Sequence, residues 1–281
     1  MAGKKFNAMP GFGLTMGFTL FYLSAIVLIP IGGILLKTLG IPWSEFWRLA
    51  TNERALAAYK LTFGASVFAA LANAVFGTLL AWVLTRYEFP GRRLIDALVD
   101  FPFALPTAVA GLTLASLFAT NGWLGRFLAQ PNVDGRLEPI TLYMPWFGVI
   151  VALTFVGMPF VVRTLQPVIE NFEREVEESA ATLGAGRLRT FFSVIAPSLL
   201  PSIITGFALA FARAVGEYGS IVFISSNLPL KSEIAPYLIV VRLEEFDNAG
   251  AMTLAVVLLI ISFALLGVIN VLEQWANKFV H

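Results

Sequence analysis

Residues 251–272 read AMTLAVVLLIISFALLGVINVL, an apolar run without a charged residue and of the length that a helix needs to cross a lipid bilayer. The rest of the chain has the same character. Of its 281 residues, 58% are hydrophobic and 13% are charged, whereas about a quarter of the residues in soluble domains are charged. We therefore interpret the chain as a multi-spanning integral membrane protein.

Five further apolar stretches predict five more membrane spans, at residues 14–36, 61–84, 94–120, 142–165 and 200–224. Lipid leaves only helices and closed barrels as spanning structures, and these stretches lack the period-two alternation of barrel strands. The predicted fold class is therefore all-α, with six transmembrane helices and both termini on one side. The first stretch is longer than the apolar core of a signal peptide, about 7–15 residues, so we expect it to be a retained helix.

The basic residues predict the orientation, because short cytoplasmic loops are enriched in lysine and arginine. The N-terminal tail and the loop at 85–93 carry such residues: Lys4, Lys5, Arg86, Arg92 and Arg93. We expect both segments, and with them both termini, to be cytoplasmic. The opposite loops also contain basic residues, so the difference between the two sides is modest.

The composition argues against an enzyme. The chain has no cysteine, and its one histidine is the terminal His281, which excludes thiolate chemistry and disfavours a histidine-dependent nucleophile or a metal site. A net charge of +1 gives no sign of a nucleic-acid partner. We predict no catalytic residue, no metal ligand and membrane lipid as the surrounding medium.

A long polar segment, residues 167–197, lies on the predicted cytoplasmic side. Its glutamates come early and its arginines late, as a helix dipole favours. Phe172, Val176, Ala180 and Leu183 form an apolar stripe at helical spacing. Gly184 is expected to end this helix, and a second short helix is expected to stop before Pro197. The stripe either receives a partner or packs back onto the bundle.

The spacing within this segment resembles the coupling loop of ABC importer permeases. That family pattern is Glu-Ala-Ala, three residues, Gly, nine residues, then Ile-x-Leu-Pro. Glu178-Ser179-Ala180, Gly184 and a Val-Ile-Ala-Pro run ending at Pro197 stand at the matching positions, with Ser179 in place of the first alanine. The resemblance implies that this loop is cytoplasmic and docks in a groove of an ATPase subunit. It makes Glu178, Ser179, Ala180, Gly184 and Pro197 candidate ATPase-coupling residues.

Other stretches resemble the bacterial sulfate/thiosulfate permeases of the T or U type, along nearly the whole chain. They are AAYKLTFGA (57–65), LTRYEFPGRR (84–93), DFPFALPTAVAGLTLASLF (100–118), PFVVRTLQPV (159–168) and VRLEEFD (241–247). The resemblance implies a type I ABC importer permease fold in the bacterial inner membrane. It also implies domain boundaries: a tail, first helix and outer loop at 1–58, a five-helix core at 59–272 that contains the coupling loop, and a tail at 273–281.

The same resemblance implies the partners and the mechanism. The working unit would join this chain to a sister permease of the W type, two ATP-binding subunits and a periplasmic sulfate/thiosulfate-binding protein. ATP and magnesium would be used by the ATPase subunits, so this chain would bind no cofactor. Transport would proceed by alternating access. The outer loops, with Lys231, Arg242 and nearby acids, either receive the binding protein or are merely solvated.

The stretch ARAVGEYGS (212–220) places Arg213 and Glu217 four residues apart in a predicted span, where an isolated charge costs about 2.5–3.5 kcal/mol by insertion scales. They form either an ion pair that fixes two helices in register or a gate, and a direct contact with the anion is the weaker alternative. Pro106 and Thr107 belong to FPFALPTAVAG, in which the prolines predict a kinked helix. This segment either lines the pathway, with Thr107 donating to an oxyanion, or is an ordinary interfacial entry.

Two other functions stay open. One is a molybdate or tungstate permease: molybdate permeases share the Arg-Ala-x-Gly-Glu-(Phe/Tyr)-Gly stretch, so this stretch does not by itself assign sulfate, and competition among the oxyanions for uptake would separate the two. A secondary anion transporter would need no ATPase and often shows inverted repeats, of which the sequence gives no convincing sign. Co-purification with an ATPase subunit would discriminate.

Overall fold

The computed structural model describes residues 12–277, so Lys4, Lys5 and His281 lie outside the described part. In chain order the helices are α1 Phe12–Leu39, α2 Trp43–Ala50, α3 Glu53–Arg86, α4 Arg92–Val99, α5 Phe101–Ala104, α6 Thr107–Phe118, α7 Gly125–Leu128, α8 Ile140–Tyr143, α9 Pro145–Glu170, α10 Arg174–Thr182, α11 Arg187–Val215, α12 Ile221–Ile224, α13 Ala235–Glu244 and α14 Asn248–Asn277. Strands β1 (Gln130–Pro131) and β2 (Leu137–Glu138) pair antiparallel.

Five helices within residues 12–277 are long and apolar enough to cross a membrane: α1, α3, α9, α11 and α14. They account for five of the six predicted spans. The helices extend beyond the apolar runs because helix formation continues into flanking polar residues. Helix α3 begins after Asn52, for example, whose side chain accepts a hydrogen bond from the amide of Arg54 at 2.8 Å.

The predicted single helix over 94–120 is wrong. The structure divides this stretch among α4, α5 and α6, and the chain is extended at Leu105 and Pro106. Proline disfavours helical geometry in the residue before it, which explains the break at Leu105. Helix α6 has 12 residues and is therefore about 18 Å long, short of the ~30 Å hydrocarbon core. Six long spanning helices are thus not confirmed.

The predicted bounds of the fifth span, 200–224, are also wrong at both ends. Helix α11 begins at Arg187 and continues through Pro197, where the sequence predicted a stop. A π turn at Phe191–Ile195 ends two residues before this proline, and its wider turn accommodates a residue that cannot donate a backbone hydrogen bond. At the other end the helix stops at Val215, nine residues early.

Helices α3, α9 and α11 pack together at the centre of the bundle, and small residues permit the close approach. Val161 of α9 is fully buried between two glycines. A Cβ on Gly77 of α3 would lie 2.9 Å from a Val161 methyl, and a Cβ on Gly206 of α11 would lie 3.1 Å from the Val161 Cα. Leu165, Ile169, Leu199 and Phe211 continue this core along the bundle.

The four long helices α3, α9, α11 and α14 define two ends of the bundle. The segment end carries residues 87–100 and 171–195, and the loop end carries residues 40–52, 119–144 and 225–247. The small β1–β2 hairpin lies at the loop end and is the one departure from all-α structure in the described residues. Asn132 orders its turn by accepting hydrogen bonds from the amides of Asp134 and Arg136.

Candidate functional site

Two breaks in otherwise helical segments meet inside the bundle. One is the extended stretch before Thr107, and the other is the non-helical stretch 216–220 between α11 and α12. A Cβ on Gly219 would lie 2.2 Å from the hydroxyl oxygen of Thr107, and a Cβ on Gly111 would lie 2.3 Å from the carbonyl oxygen of Ser220. A side chain at Gly111 would therefore collide with the backbone of Ser220, and one at Gly219 would collide with the Thr107 side chain. The structure thus joins Thr107 to the ARAVGEYGS stretch.

Glu217 lies just beyond the end of α11 and is 2% exposed. One carboxylate oxygen accepts hydrogen bonds from the amide and the hydroxyl of Ser220, each at 2.8 Å. The other oxygen is 2.6 Å from a guanidinium nitrogen of Arg213. Burial of a carboxylate is costly unless its oxygens are bonded. These three contacts therefore hold the Glu217 side chain in place within the 216–220 turn.

Arg213 lies in the last turn of α11, and its side chain is 34% exposed. The expectation of two charges near the middle of one continuous helix is wrong, because the helix ends between them at Val215. Their ion pair is nevertheless present, and the amide of Glu217 bonds to the carbonyl of Ala214 at 3.1 Å. A guanidinium has five N–H donors, so the ion pair with Glu217 leaves donors of Arg213 unused among the contacts of the described residues.

The prolines of the first break differ in their surroundings. Pro102 is buried within α5, whereas Pro106 is exposed and directly precedes α6. Thr107, the first residue of α6, is half-buried against Gly219. The predicted interruption of the helix is confirmed, and it is a full break instead of a kink.

The polar segment forms the predicted helix–turn–helix. Helix α10 is followed by Gly184 with φ +81°, and the Ala185 amide bonds to the Ala180 carbonyl at 3.0 Å, which is a glycine-terminated helix end. Glu178, Ser179, Gly184 and Pro197 are exposed, and Ala180 is half-buried. Within the apolar stripe, Phe172 packs on the core, whereas Leu183 is 88% exposed.

Sequence reasoning missed the contact that attaches this segment to the bundle. Arg86, the last residue of α3, is 3.0 Å from a carboxylate oxygen of Glu177 in α10 and donates to the carbonyl of Phe172 at 3.1 Å. Its guanidinium also lies over the rings of Trp82 and Phe172. Arg86 appeared in the sequence only as a basic loop residue, and a partner 91 positions away leaves no local signal.

The ion pairs at the loop end differ in how deeply they are buried. Arg54 of α3 makes two hydrogen bonds of 2.7 Å to Glu233, whose side chain is 1% exposed. Arg242 lies 3.3 Å from Glu245 and 3.4 Å from Asp247 at the surface. On the exposed face of α2, hydrogen bonds from Arg48 hold the pKa of Glu45 below its ordinary value. Lys231 is exposed.

Comparison with known sequences gives a consistent family. Residues 73–278 match the family described as "Binding-protein-dependent transport system inner membrane component". The chain is 48% identical over 274 residues to the "Sulfate transport system permease protein CysT" of Salmonella typhimurium, covering 98% of this chain and 96% of that protein. It is 46% identical to the protein of the same name in Escherichia coli strain K12, over 95% and 94% of the two chains.

Solved structures share the fold. A bacterial alginate ABC transporter in complex with an alginate pentasaccharide-bound periplasmic protein superposes with a TM-score of 0.72 at 19% identity, over 96% of this chain and 94% of that one. The MetNI methionine ABC transporter in an inward-facing conformation gives 0.55 at 13% identity, over 84% and 99%. At such identities the likeness concerns the architecture alone.

Proposed function

The chain belongs to the family of binding-protein-dependent transport system inner membrane components, and from this premise we propose that it is the permease subunit of an ATP-driven sulfate importer. The observation that supports sulfate as the substrate is the 48% identity, over 98% of the chain, to a protein named for sulfate transport. Five apolar helices long enough to span a bilayer fit a multi-pass protein of the inner membrane. Thiosulfate is proposed as a second substrate of similar shape and charge.

Sulfate is favoured over molybdate or tungstate by the relatives. Those quoted above are named for sulfate, and a third, from Nephroselmis olivacea, is 49% identical over 93% of this chain and is named a probable sulfate transport permease. An ATP-independent secondary transporter is disfavoured by membership in a binding-protein-dependent family. These matches support the substrate class, whereas the arrangement below is inferred from the geometry.

We propose that residues 92–118 cross the membrane as one composite span, which gives six crossings and places both termini in the cytoplasm. Near its start, Asp96 contacts Arg163 toward the end of α9, and at its end Phe118 packs on Phe147 at the start of α9, with ring centroids 5.3 Å apart. The broken segment therefore runs antiparallel to a helix that itself spans the bilayer. The segment end is then cytoplasmic and the loop end periplasmic.

The proposed partners follow from this orientation. Two ATP-binding subunits, which hold ATP and magnesium, are proposed to dock on the cytoplasmic segment around Glu178, Ser179, Ala180, Gly184 and Pro197. The 88% exposure of Leu183 supports a covering partner there. A sister permease of the W type would complete the pathway, and a periplasmic binding protein would meet the loop end. This chain would supply no catalytic residue and hold no cofactor.

Arg213 is the proposed pathway residue, and Glu217 is the residue that orients it. Both carboxylate oxygens of the buried Glu217 are bonded, whereas Arg213 is a third exposed and has donors without a partner among the described residues. A guanidinium that is partly neutralised by a fixed carboxylate can attract a divalent oxyanion without holding it tightly. Thr107 and Pro106 contribute the opposite wall, at the break that contacts Gly219.

The deciding experiment is radiolabelled sulfate uptake in a strain that lacks its own sulfate permease and is complemented with this chain and its partner subunits. We expect ATP-dependent uptake that thiosulfate inhibits and that molybdate inhibits only weakly. Preferential inhibition by molybdate would contradict the substrate. Uptake without any co-purifying ATPase subunit would contradict the class of transporter.

A further inference from the structure

The side chain of Arg163, in the last third of α9, uses all of its donors on one neighbouring segment and one residue of its own helix. Two donors bond to the carboxylate of Asp100 at 2.7 and 2.6 Å. The others reach the carboxylate and the backbone carbonyl of Asp96, both at 2.8 Å, and the side-chain oxygen of Gln166 at 2.5 Å. A guanidinium has five N–H donors in a fixed planar fork, and here all five are satisfied.

The acceptors of Arg163 outside its own helix belong to two residues of one short segment. Asp96 lies in α4, and Asp100 is the residue between α4 and α5. Gln166 reinforces the arrangement by donating to the Asp96 carboxylate at 2.9 Å. The bidentate contact with Asp100 fixes orientation as well as distance. Arg163 therefore sets both the position and the angle of the short helices that precede the break at Pro106.

Apolar contacts hold the same segment less specifically. Val99 is 2% exposed and belongs to the central core, and the ring of Phe103 packs edge-on against Phe160 at 5.1 Å. These contacts keep α4 and α5 against the bundle. They lack the directional hydrogen bonds that would prevent the segment from sliding or rotating, and only the Arg163 cluster supplies those among the described contacts between α9 and residues 92–104.

Arg163 lies between two functional regions along the chain. Helix α9 ends at Glu170, four residues before α10 begins, and Phe172 in that link is bonded to Arg86. In the other direction, Asp100 lies seven residues before Thr107, which touches Gly219 of the ARAVGEYGS turn. A displacement of α10 is thus connected to the two breaks through α9, Arg163 and the α4–α5 segment.

We propose that Arg163 is a positioning residue that clamps residues 92–104 to α9, so that movement of the coupling segment is transmitted to the contact between Thr107 and Gly219. This inference rests on the proposed function in one respect, since it takes the force on α10 to come from an ATPase subunit. It assigns to Arg163, Asp96, Asp100 and Gln166 a role in coupling and none in holding the transported anion.

The test uses the full importer complex in nanodiscs, with two spin labels on this chain. Because the chain contains no cysteine, Leu56→Cys at the start of α3 and Leu98→Cys on α4 give unique labelling sites when the other subunits are made cysteine-free. Both leucines are about half exposed. The distance between the labels is measured by pulsed electron paramagnetic resonance without nucleotide and after trapping with ATP and vanadate.

We expect a narrow distance distribution in both states of the otherwise unchanged chain, and a broad one in Arg163→Gln. We also expect Arg163→Gln to transport roughly tenfold less substrate per ATP hydrolysed, the size of an ordinary coupling free energy, while ATP hydrolysis continues. Arg93→Gln, which changes an exposed arginine of α4, serves as the control. It should alter neither the distance distribution nor the transport per ATP hydrolysed. An unchanged distribution together with unchanged transport per ATP in Arg163→Gln would overturn the proposal.

A second variant covers the case in which Arg163→Gln does not assemble. Asp100→Asn leaves the bonds to Asp96 and Gln166 in place and weakens only the bidentate contact, so the same two measurements apply to it. The proposed function fails separately, if the unaltered complex imports no sulfate. If the complex imports no sulfate, the distance measurement still tests the proposed role of Arg163, because vanadate trapping reports ATP-driven movement without a transported anion.

Discussion

The guanidinium of Arg213 and the carboxylate of Glu217 lie 2.6 Å apart across the point where helix α11 ends. The carboxylate is buried and also bonded to Ser220, whereas the guanidinium is partly exposed. The pair is therefore asymmetric, because the carboxylate is fixed inside the turn and the guanidinium is partly exposed. Substitutions at the two positions should consequently have different effects.

Arg213→Ala should slow sulfate uptake strongly while the complex still assembles. Contacts with charged groups contribute roughly 1.5–3 kcal/mol, which corresponds to a loss of about tenfold to a hundredfold. Arg213→Lys keeps the charge and should retain part of the activity. Leu209→Ala, at a half-exposed position one turn earlier, is the control. Normal uptake by Arg213→Ala in whole cells would refute a role for this residue in gating or in the pathway.

Gly219→Ala should impair transport, because the added methyl would lie 2.2 Å from the Thr107 hydroxyl. Overpacking of this kind typically costs about 1–3 kcal/mol. Removal of the hydroxyl in the double variant with Thr107→Ala should restore part of the uptake. Gly216→Ala provides a matched control three residues away, since a Cβ there meets no atom within 4 Å. Equal uptake by the two single alanine variants would show that the contact between the breaks has no role.

Glu177→Gln should uncouple ATP hydrolysis from transport. The ion pair of Glu177 with Arg86 links α10 to the end of α3, and its loss would let the segment move without moving the bundle. We expect the ratio of sulfate imported to ATP hydrolysed to fall about fivefold or more. Glu175→Gln changes an exposed glutamate in the same helix and should leave the ratio unaltered. The measurement requires reconstituted complex in proteoliposomes, and a normal ratio for Glu177→Gln would contradict the link.

Glu233→Gln should destabilise the protein more than it affects any single transport step. The Glu233 side chain is 1% exposed and holds the guanidinium of Arg54 through two bonds. Removal of one member of a fully buried pair typically costs about 3–5 kcal/mol, and we expect a value near the lower limit here because the Arg54 side chain is 26% exposed. Glu245→Gln alters a surface pair instead and should cost no more than about 1 kcal/mol. Thermal denaturation in detergent, followed by fluorescence-detected chromatography, compares them. Identical melting temperatures of the Glu233→Gln and Glu245→Gln variants would contradict the burial of the Arg54–Glu233 pair.

The long helices could be predicted because apolar length is a local property of the sequence. The break before Thr107 was signalled by Pro102 and Pro106, yet its extent was not, because hydropathy averages over α4, α5 and α6. The end of α11 at Val215 was missed for a similar reason: apolar residues resume at Ile221, after a turn whose local signs were Gly216 and Gly219.

The polar contacts could not be predicted because their partners are far apart in the chain. Arg163 lies 63 residues from Asp100, and Arg54 lies 179 residues from Glu233. A sequence pattern can show that an arginine lies in a segment where burial of its charge costs free energy. It cannot show which distant carboxylate pairs with that arginine. The Arg213–Glu217 pair was found in advance because its members are one helical turn apart, a spacing that local reasoning can evaluate.

Val161, wedged between Gly77 and Gly206, has a mechanical consequence. For α9 to slide along α3, the Val161 isopropyl group would have to leave the space beside Gly77, and at Gly206 helix α11 packs closely on the Val161 backbone. We expect three helices packed in this way to move together as one body. We therefore expect a displacement at the segment end to reach the opposite end of α11, where Arg213 and Glu217 lie.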